Sequence, residues 1–169
     1  MFKKFGEFNS AEELNAAAAG FAAEGDMESL KALAEENGID LENAEDLANG
    51  DIPELCMPLE AAYGRLTAEE KEVSSRPARE KAVIMVIIDQ IRAMCSDDEI
   101  VPRIMLKGKR AAEIYEVMRD AAGKHRNGNQ PVCVCGTDRD LERMIRSYYF
   151  SGIDDFKAEV AAYVGRCCA

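Results

Sequence analysis

Residues 78–95 read AREKAVIMVIIDQIRAMC, and the choice between helix and strand for this stretch decides the fold class. Its centre, Ala82 to Ile88, is an unbroken apolar run rich in β-branched residues, which a buried strand would also tolerate. The whole stretch is too long for a strand, however, and its charged flanks suit a helix. On a helix, Ala82, Met85, Ile88, Ile91 and Cys95 share one face while Val83, Ile84, Val86 and Ile87 cover most of the rest. The spacing therefore predicts a helix apolar nearly all round and central to a core.

Toward the N-terminus the chain reads as short, explicitly punctuated helices. Ser10-Ala11-Glu12-Glu13 is a capping box, in which the serine hydroxyl and the Glu13 carboxylate satisfy backbone amides of the first turn. Leu14, Ala17, Ala18 and Phe21 then fall on one face, and Gly25 offers a left-handed stop. Asp26 caps a second helix that buries Met27, Leu30, Leu33 and Ala34 and ends at Asn37-Gly38, with Ile39 placed for the apolar contact that follows a glycine stop. Asp40 caps a third, ending at Gly50. A fourth is expected from about Ile52 to Tyr63, with Pro53 in its first turn and Pro58 dividing or kinking it. A second capping box, Thr67-Ala68-Glu69-Glu70, opens a polar segment into Ser74-Ser75-Arg76-Pro77, and the boundary between two modules, 1–70 and 71–169, is placed there.

Toward the C-terminus, a broken helix containing Pro102 stops at Gly108, and another runs from Arg110 to Ala122 with Ile114, Tyr115, Val117, Met118 and Ala121 inward. Lys124 to Gly136 is the least regular stretch, and Val132-Cys133-Val134-Cys135 is left open between a short strand and a metal-holding loop. Thr137 caps a helix with Leu141, Met144, Ile145, Tyr148 and Tyr149 on its apolar side, and a last helix covers Asp154 to Val164. The expected class is mostly α, in two small helical modules, with a short strand or hairpin near 130–136 as the open point.

Charge is unevenly distributed. Residues 1–70 hold seventeen Asp or Glu against four Lys or Arg, a net of −13; residues 71–169 hold seventeen basic and fifteen acidic groups, a net of +2. An acidic surface repels nucleic acid and is drawn to basic grooves, many of which hold DNA or RNA. A protein partner that itself binds nucleic acid is the expectation, with Glu24, Glu28, Glu35, Glu36, Glu42, Glu45 and Asp46 as its candidate contacts and no direct nucleic-acid binding. The 47% apolar content excludes wholesale disorder, no apolar run approaches a membrane span, and no secretory signal opens the chain. A cytoplasmic location in a bacterial host is expected.

In that compartment the six cysteines read as thiols or metal ligands. Zinc takes four N or S ligands, commonly in pairs from separated segments. Cys133 and Cys135 with His125, the only histidine, and Cys167 or Cys168 form the candidate structural zinc site, against free thiols as the alternative. Cys56 and Cys95 lie in apolar patterns and are expected in the core. No phosphate-cradling glycine loop, G-x-S-x-G or H-E-x-x-H occurs, so no catalytic residue and no enzymatic activity are expected. Basic residues cluster at Arg76, Arg79 and Lys81, at Lys107, Lys109 and Arg110, and at Arg139, Arg143 and Arg146, as solvated helix faces or a phosphate-binding surface.

Phe8-Asn9-Ser10-Ala11-Glu12-Glu13-Leu14-Asn15, with Ala34-Glu35-Glu36-Asn37-Gly38-Ile39-Asp40 and Glu45-Asp46, resembles the N-terminal module of small proteins carried by phages and conjugative elements of gut Firmicutes. Asp97-Asp98, Lys107-Gly108-Lys109, Ile114-Tyr115 and Thr137-Asp138 through Tyr148-Tyr149 are similar to the PcfK-like family of conjugative-plasmid proteins. The cysteine cluster departs from that pattern. The resemblance implies a protein of mobile genetic elements, in a neighbourhood that includes anti-CRISPR inhibitors of type II CRISPR effectors. The expectation is thus an inhibitor that blocks target DNA loading or cleavage; the alternative is a conjugative-element accessory protein that binds DNA through its C-terminal module.

Overall fold

A computed structural model describes residues 2–124 and 136–167, with side chains to Arg166. Among the described residues there are nine helices and no strand: α1 (Ala11–Glu24), α2 (Met27–Glu36), α3 (Leu41–Asn49), α4 (Pro58–Val73), α5 (Ala78–Met94), α6 (Val101–Ile104), α7 (Ala111–Lys124), α8 (Asp138–Phe150) and α9 (Ile153–Cys167). The mostly α class holds. The open point near 130–136 lies, Gly136 aside, outside the described residues.

The chain divides into two compact units, Met1–Ser75 with Asp97–Lys109 and Arg76–Ser96 with Arg110–Ala169. A single cut after residue 70 differs from this in two ways. Helix α4 runs through it to Val73, and residues 97–109 return to the first unit. Ile100, Val101 and Ile104 are buried, α6 packs on α4, and Met105 joins the same core as Leu14, Leu30 and Leu33.

In unit 1 the helix ends follow the local chemistry. The Ser10 hydroxyl accepts from Glu13 N at 3.2 Å while the Glu13 carboxylate accepts from Asn9 N at 2.7 Å, completing the capping box. Asp26 and Asp40 cap α2 and α3 through Ser29 N and Glu42 N. Gly25 and Gly50 close α1 and α3 in the left-handed conformation. After Gly38, Ile39 N donates back to Ala34 O at 2.9 Å and Ile39 is buried. Leu14, Leu30 and Leu33 are fully buried, each contributing about 1.5–3 kcal/mol relative to exposure.

Helix α4 corrects the expected 52–63 element. Pro58 begins the helix, where its missing N–H costs nothing, and the Glu60 carboxylate accepts from Met57 N at 2.7 Å. Pro53 lies in the irregular stretch before it. The box at Thr67–Glu70 opens nothing; it sits inside α4, because continuing the helix buries Leu66, Ala68, Glu69 and Val73. Gly64 in the middle of α4 lets the end of α2 approach it: a Cβ there would strike Asn37 O and come within 2.9 Å of Ile39 Cδ1.

In unit 2, α5 is a helix as expected, but not apolar all round. Ile84, Ile87, Ile88, Ile91 and Met94 are buried, while Ala82 is exposed and Val86 is 54% exposed. The inward face is thus the Ile84–Ile91 one rather than the Ala82–Met85 one. Helices α7 and α8 pack on α5, and α9 packs on both α7 and α8. Tyr148 anchors this core, its ring 5.1 Å from Tyr149 and 5.3 Å from Phe156 between centroids. Its hydroxyl accepts from Arg110 N at 2.8 Å and donates to the Glu113 carboxylate, so a buried phenol at the start of α7 has both roles filled.

Candidate partner-binding surface

Unit 1 carries twenty-one acidic and eight basic side chains, a net of −13, and unit 2 thirteen basic and eleven acidic, a net of +2. The acidic residues of unit 1 are not evenly placed. On α2, Glu28, Lys31 and Glu35 share one face; on α3, Glu42 and Glu45 do, and Lys31 Nζ joins Glu45 at 2.6 Å across the two helices. Glu24, Glu28, Glu35, Glu42 and Glu45 are exposed and Asp46 is half-buried. Glu36 has a different task. Its carboxylate accepts from Lys4 N at 2.8 Å and Phe5 N at 3.1 Å, fixing the N-terminal segment to α2.

That segment is held from a second side by a buried cation. The Arg65 side chain is 1% exposed; its Nη2 lies 2.8 Å from Glu7 Oε1 and its guanidinium is 4.6 Å from the Phe2 ring centre. Glu69, one turn on and also buried, lies 4.0 Å from Arg65 Nε. Glu7 in turn accepts from Gly108 N at 3.1 Å, and Asn9 from Lys107 N at 3.2 Å. The network belongs to the scaffold: it joins residues 2–9, α4 and the loop after α6.

Next to Glu35, an open groove of about 450 Å³ is lined by Gly38, Ile39, Asp40, Leu41, Thr67 and Lys71. On α4, Leu59, Tyr63, Thr67 and Lys71 recur every four residues, so they form one stripe that runs into this groove. Leu59 is 43%, Tyr63 39% and Leu41 44% exposed, and Met57, just before the helix, is 62% exposed. The expected 52–63 helix ended at Tyr63 and so hid this stripe. Continuing α4 to Val73 buries Ala61, Ala62, Arg65, Leu66 and Glu69 on one side and leaves Leu59 and Tyr63 outward.

The basic clusters are arranged differently. Arg76 pairs with Glu116 at 3.0 Å and lies 3.8 Å from Glu80. Arg143 reaches Glu159 at 3.2 Å and Asp140 at 3.7 Å, and Arg146 reaches Glu142 at 4.0 Å. The groove of about 540 Å³ along α8 is thus lined by Arg139, Arg143 and Arg146 together with Asp140 and Glu142, a mixed rather than a basic wall. Lys107 lies 3.4 Å from Glu13.

Of the expected zinc ligands, His125, Cys133, Cys135 and Cys168 lie outside the described residues, as does the Cys167 side chain. Among the described residues no three His, Cys, Asp or Glu groups converge on a common point. Cys56 and Cys95 are buried free thiols. Burial, with Glu60 and Glu54 nearby, pushes the Cys56 thiol up to about 12, and burial raises Cys95 as well. Neither suits a nucleophile. No described helix is long and apolar enough to cross a membrane. Comparison of the chain with family models, with curated proteins and with solved structures finds no match.

Proposed function

We propose that this protein is a non-enzymatic inhibitor whose acidic unit binds a basic, nucleic-acid-handling protein in the bacterial cytoplasm. Following the mobile-element resemblance, that partner is a type II CRISPR effector, and the activity is anti-CRISPR. One observation carries the reading: the net −13 resides in a single folded unit, with exposed carboxylates on α1, α2 and α3 among those that display it. Such a surface complements channels that hold guide and target strands by their phosphates. Arg76, Arg143 and Arg146 of unit 2 lie beside carboxylates of their own unit, which weighs against the DNA-binding alternative.

The test is titration. A binding inhibitor blocks one effector per molecule, so effector cleavage should fall in proportion to added protein, with the effector's mass unchanged. Inactivation at a small fraction of an equivalent, with a mass change, would overturn the reading. A gel shift of free DNA by the protein alone at physiological salt would favour the alternative. The structural zinc at Cys133, Cys135, His125 and a terminal cysteine is proposed on the same footing; about one equivalent by elemental analysis is expected, and under about 0.1 equivalent excludes it.

A further inference from the structure

The outer stripe of α4 is where apolar surface is left uncovered in unit 1. Leu59 and Tyr63 lie one turn apart, and Thr67 continues the line into the groove beside Leu41. From Leu59 to Thr67 the stripe is about 12 Å long at 1.5 Å per residue, enough for two to three turns of a second helix to lie along it. Its surroundings are mostly acidic. Glu54 and Glu60 are exposed and close in sequence to Leu59, and Glu35 and Asp40 line the groove together with one cation, Lys71. Uncovered aromatic and aliphatic side chains bordered mostly by carboxylates have the form of an interface centre with a charged rim.

We infer that the α4 stripe, Leu59, Tyr63 and Thr67 with the Leu41 groove, is the docking site for a basic amphipathic helix of the partner protein. The inference rests on the reading that unit 1 binds a basic protein, and specifies how. Charge complementarity selects Lys and Arg on the incoming segment, and the stripe selects apolar residues at i, i+4 and i+7 on its other face. An extended strand is disfavoured because unit 1 offers no sheet edge to receive it. The apolar centre supplies register, which a diffuse acidic surface alone does not.

Two synthetic helical peptides of equal positive charge test this on the full-length protein, one with Leu and Phe at i, i+4 and i+7 and the other with Ala there. The apolar-faced peptide should bind at least tenfold more tightly. Leu59→Ser with Tyr63→Ser should abolish that difference with an unchanged Tm, whereas Glu24→Lys with Glu28→Lys should weaken both peptides alike. Equal affinities unaffected by the Leu59/Tyr63 variant would overturn the docking site and leave the acidic-unit reading standing. Binding of neither peptide at low salt would overturn both. A dimer in sedimentation that the Leu59/Tyr63 variant dissociates would overturn it too, since a second copy of the chain would then cover the stripe.

Discussion

The two units carry similar helices and handle charge in opposite ways. Unit 2 places Arg76, Arg143 and Arg146 within reach of Glu116, Glu159 and Glu142 at its surface, so that its many ions nearly cancel where they stand. Such exposed pairs add little to stability. Unit 1 leaves most carboxylates of α1–α3 exposed and buries one cation, Arg65, among Glu7, Glu69 and the Phe2 ring. A surface of one sign repels itself, and the unit tolerates this because its interior is tied by a buried ion pair and close helix contacts.

The sharpest way to break the contrast is Arg65→Ala. Removing one member of a buried ion pair leaves the other charged and desolvated, which costs about 3–5 kcal/mol. The loss should fall on unit 1, read as the urea transition of Cys56 accessibility, while Cys95 in unit 2 keeps its own midpoint. A shift below about 1 kcal/mol would mean that Glu7 and Glu69 do not depend on this cation.

Close packing gives the next effect. Gly64→Ala puts a methyl group against the Asn37 carbonyl, backbone that can yield only by parting α2 from α4, and should cost about 1–3 kcal/mol. Gly20→Ala in the exposed middle of α1 meets nothing within 4 Å and should stabilise by about 0.5–1 kcal/mol. Opposite signs for the same substitution in one unit, measured by thermal melts, would show that the glycine at α4 serves contact and the one in α1 does not. Equal signs would remove that distinction.

What the sequence showed of this fold is what acts over a few residues. Ser10, Asp26, Asp40 and Thr137 begin helices as written, because a side-chain oxygen two or three residues from an amide needs no tertiary partner. Pro58 misled because one proline can start a helix or split it, and the choice rests on what the following turns bury. Val86 misled likewise: a β-branched run shows no periodicity, so its outward face became visible only once Ile84, Ile87, Ile88 and Ile91 were packed. The return of 97–109 to unit 1, and the pairing of Arg65 with Glu7 across 58 residues, are long-range events with no local signature. For the candidate surface, the acidic charge was legible and the apolar stripe was not, since the stripe depends on α4 continuing to Val73.

Alkali should act on the buried thiols. A thiol raised from its ordinary 9.0 to about 12 favours the folded state fully below 9, and that contribution is lost as pH rises toward 12, because the unfolded chain ionises first. Unit 1 should therefore lose stability progressively from pH 9 upward, and Cys56→Ala should flatten that limb. At pH 8, Cys56 should resist alkylation in the native protein and react at once in urea, with peptide mass spectrometry distinguishing it from the other cysteines. Rapid native labelling would place Cys56 outside a closed core.

The smallest effect, and the one that returns to the contrast of charges, is on the acid side. Backbone Asn9 N holds the Glu13 carboxyl below its ordinary 4.5, and Ser29 N holds Asp26 below 3.8, both in unit 1. In unit 2, the Thr137 hydroxyl and then its backbone amide lower Asp140. A depressed carboxylate stabilises the fold above its ordinary value, and the gain disappears as pH falls through the folded one. Both units should therefore weaken below about pH 4 as these caps protonate. Salt should make them part company: at pH 7 added salt screens the self-repulsion of a unit of net −13 and offers nothing comparable at net +2. Unit 1 should therefore gain stability from added salt. Unit 2 should respond weakly to it. If both units answer salt alike, the charge contrast has no energetic consequence within the protein, and the exposed carboxylates of α1–α3 matter only to a partner.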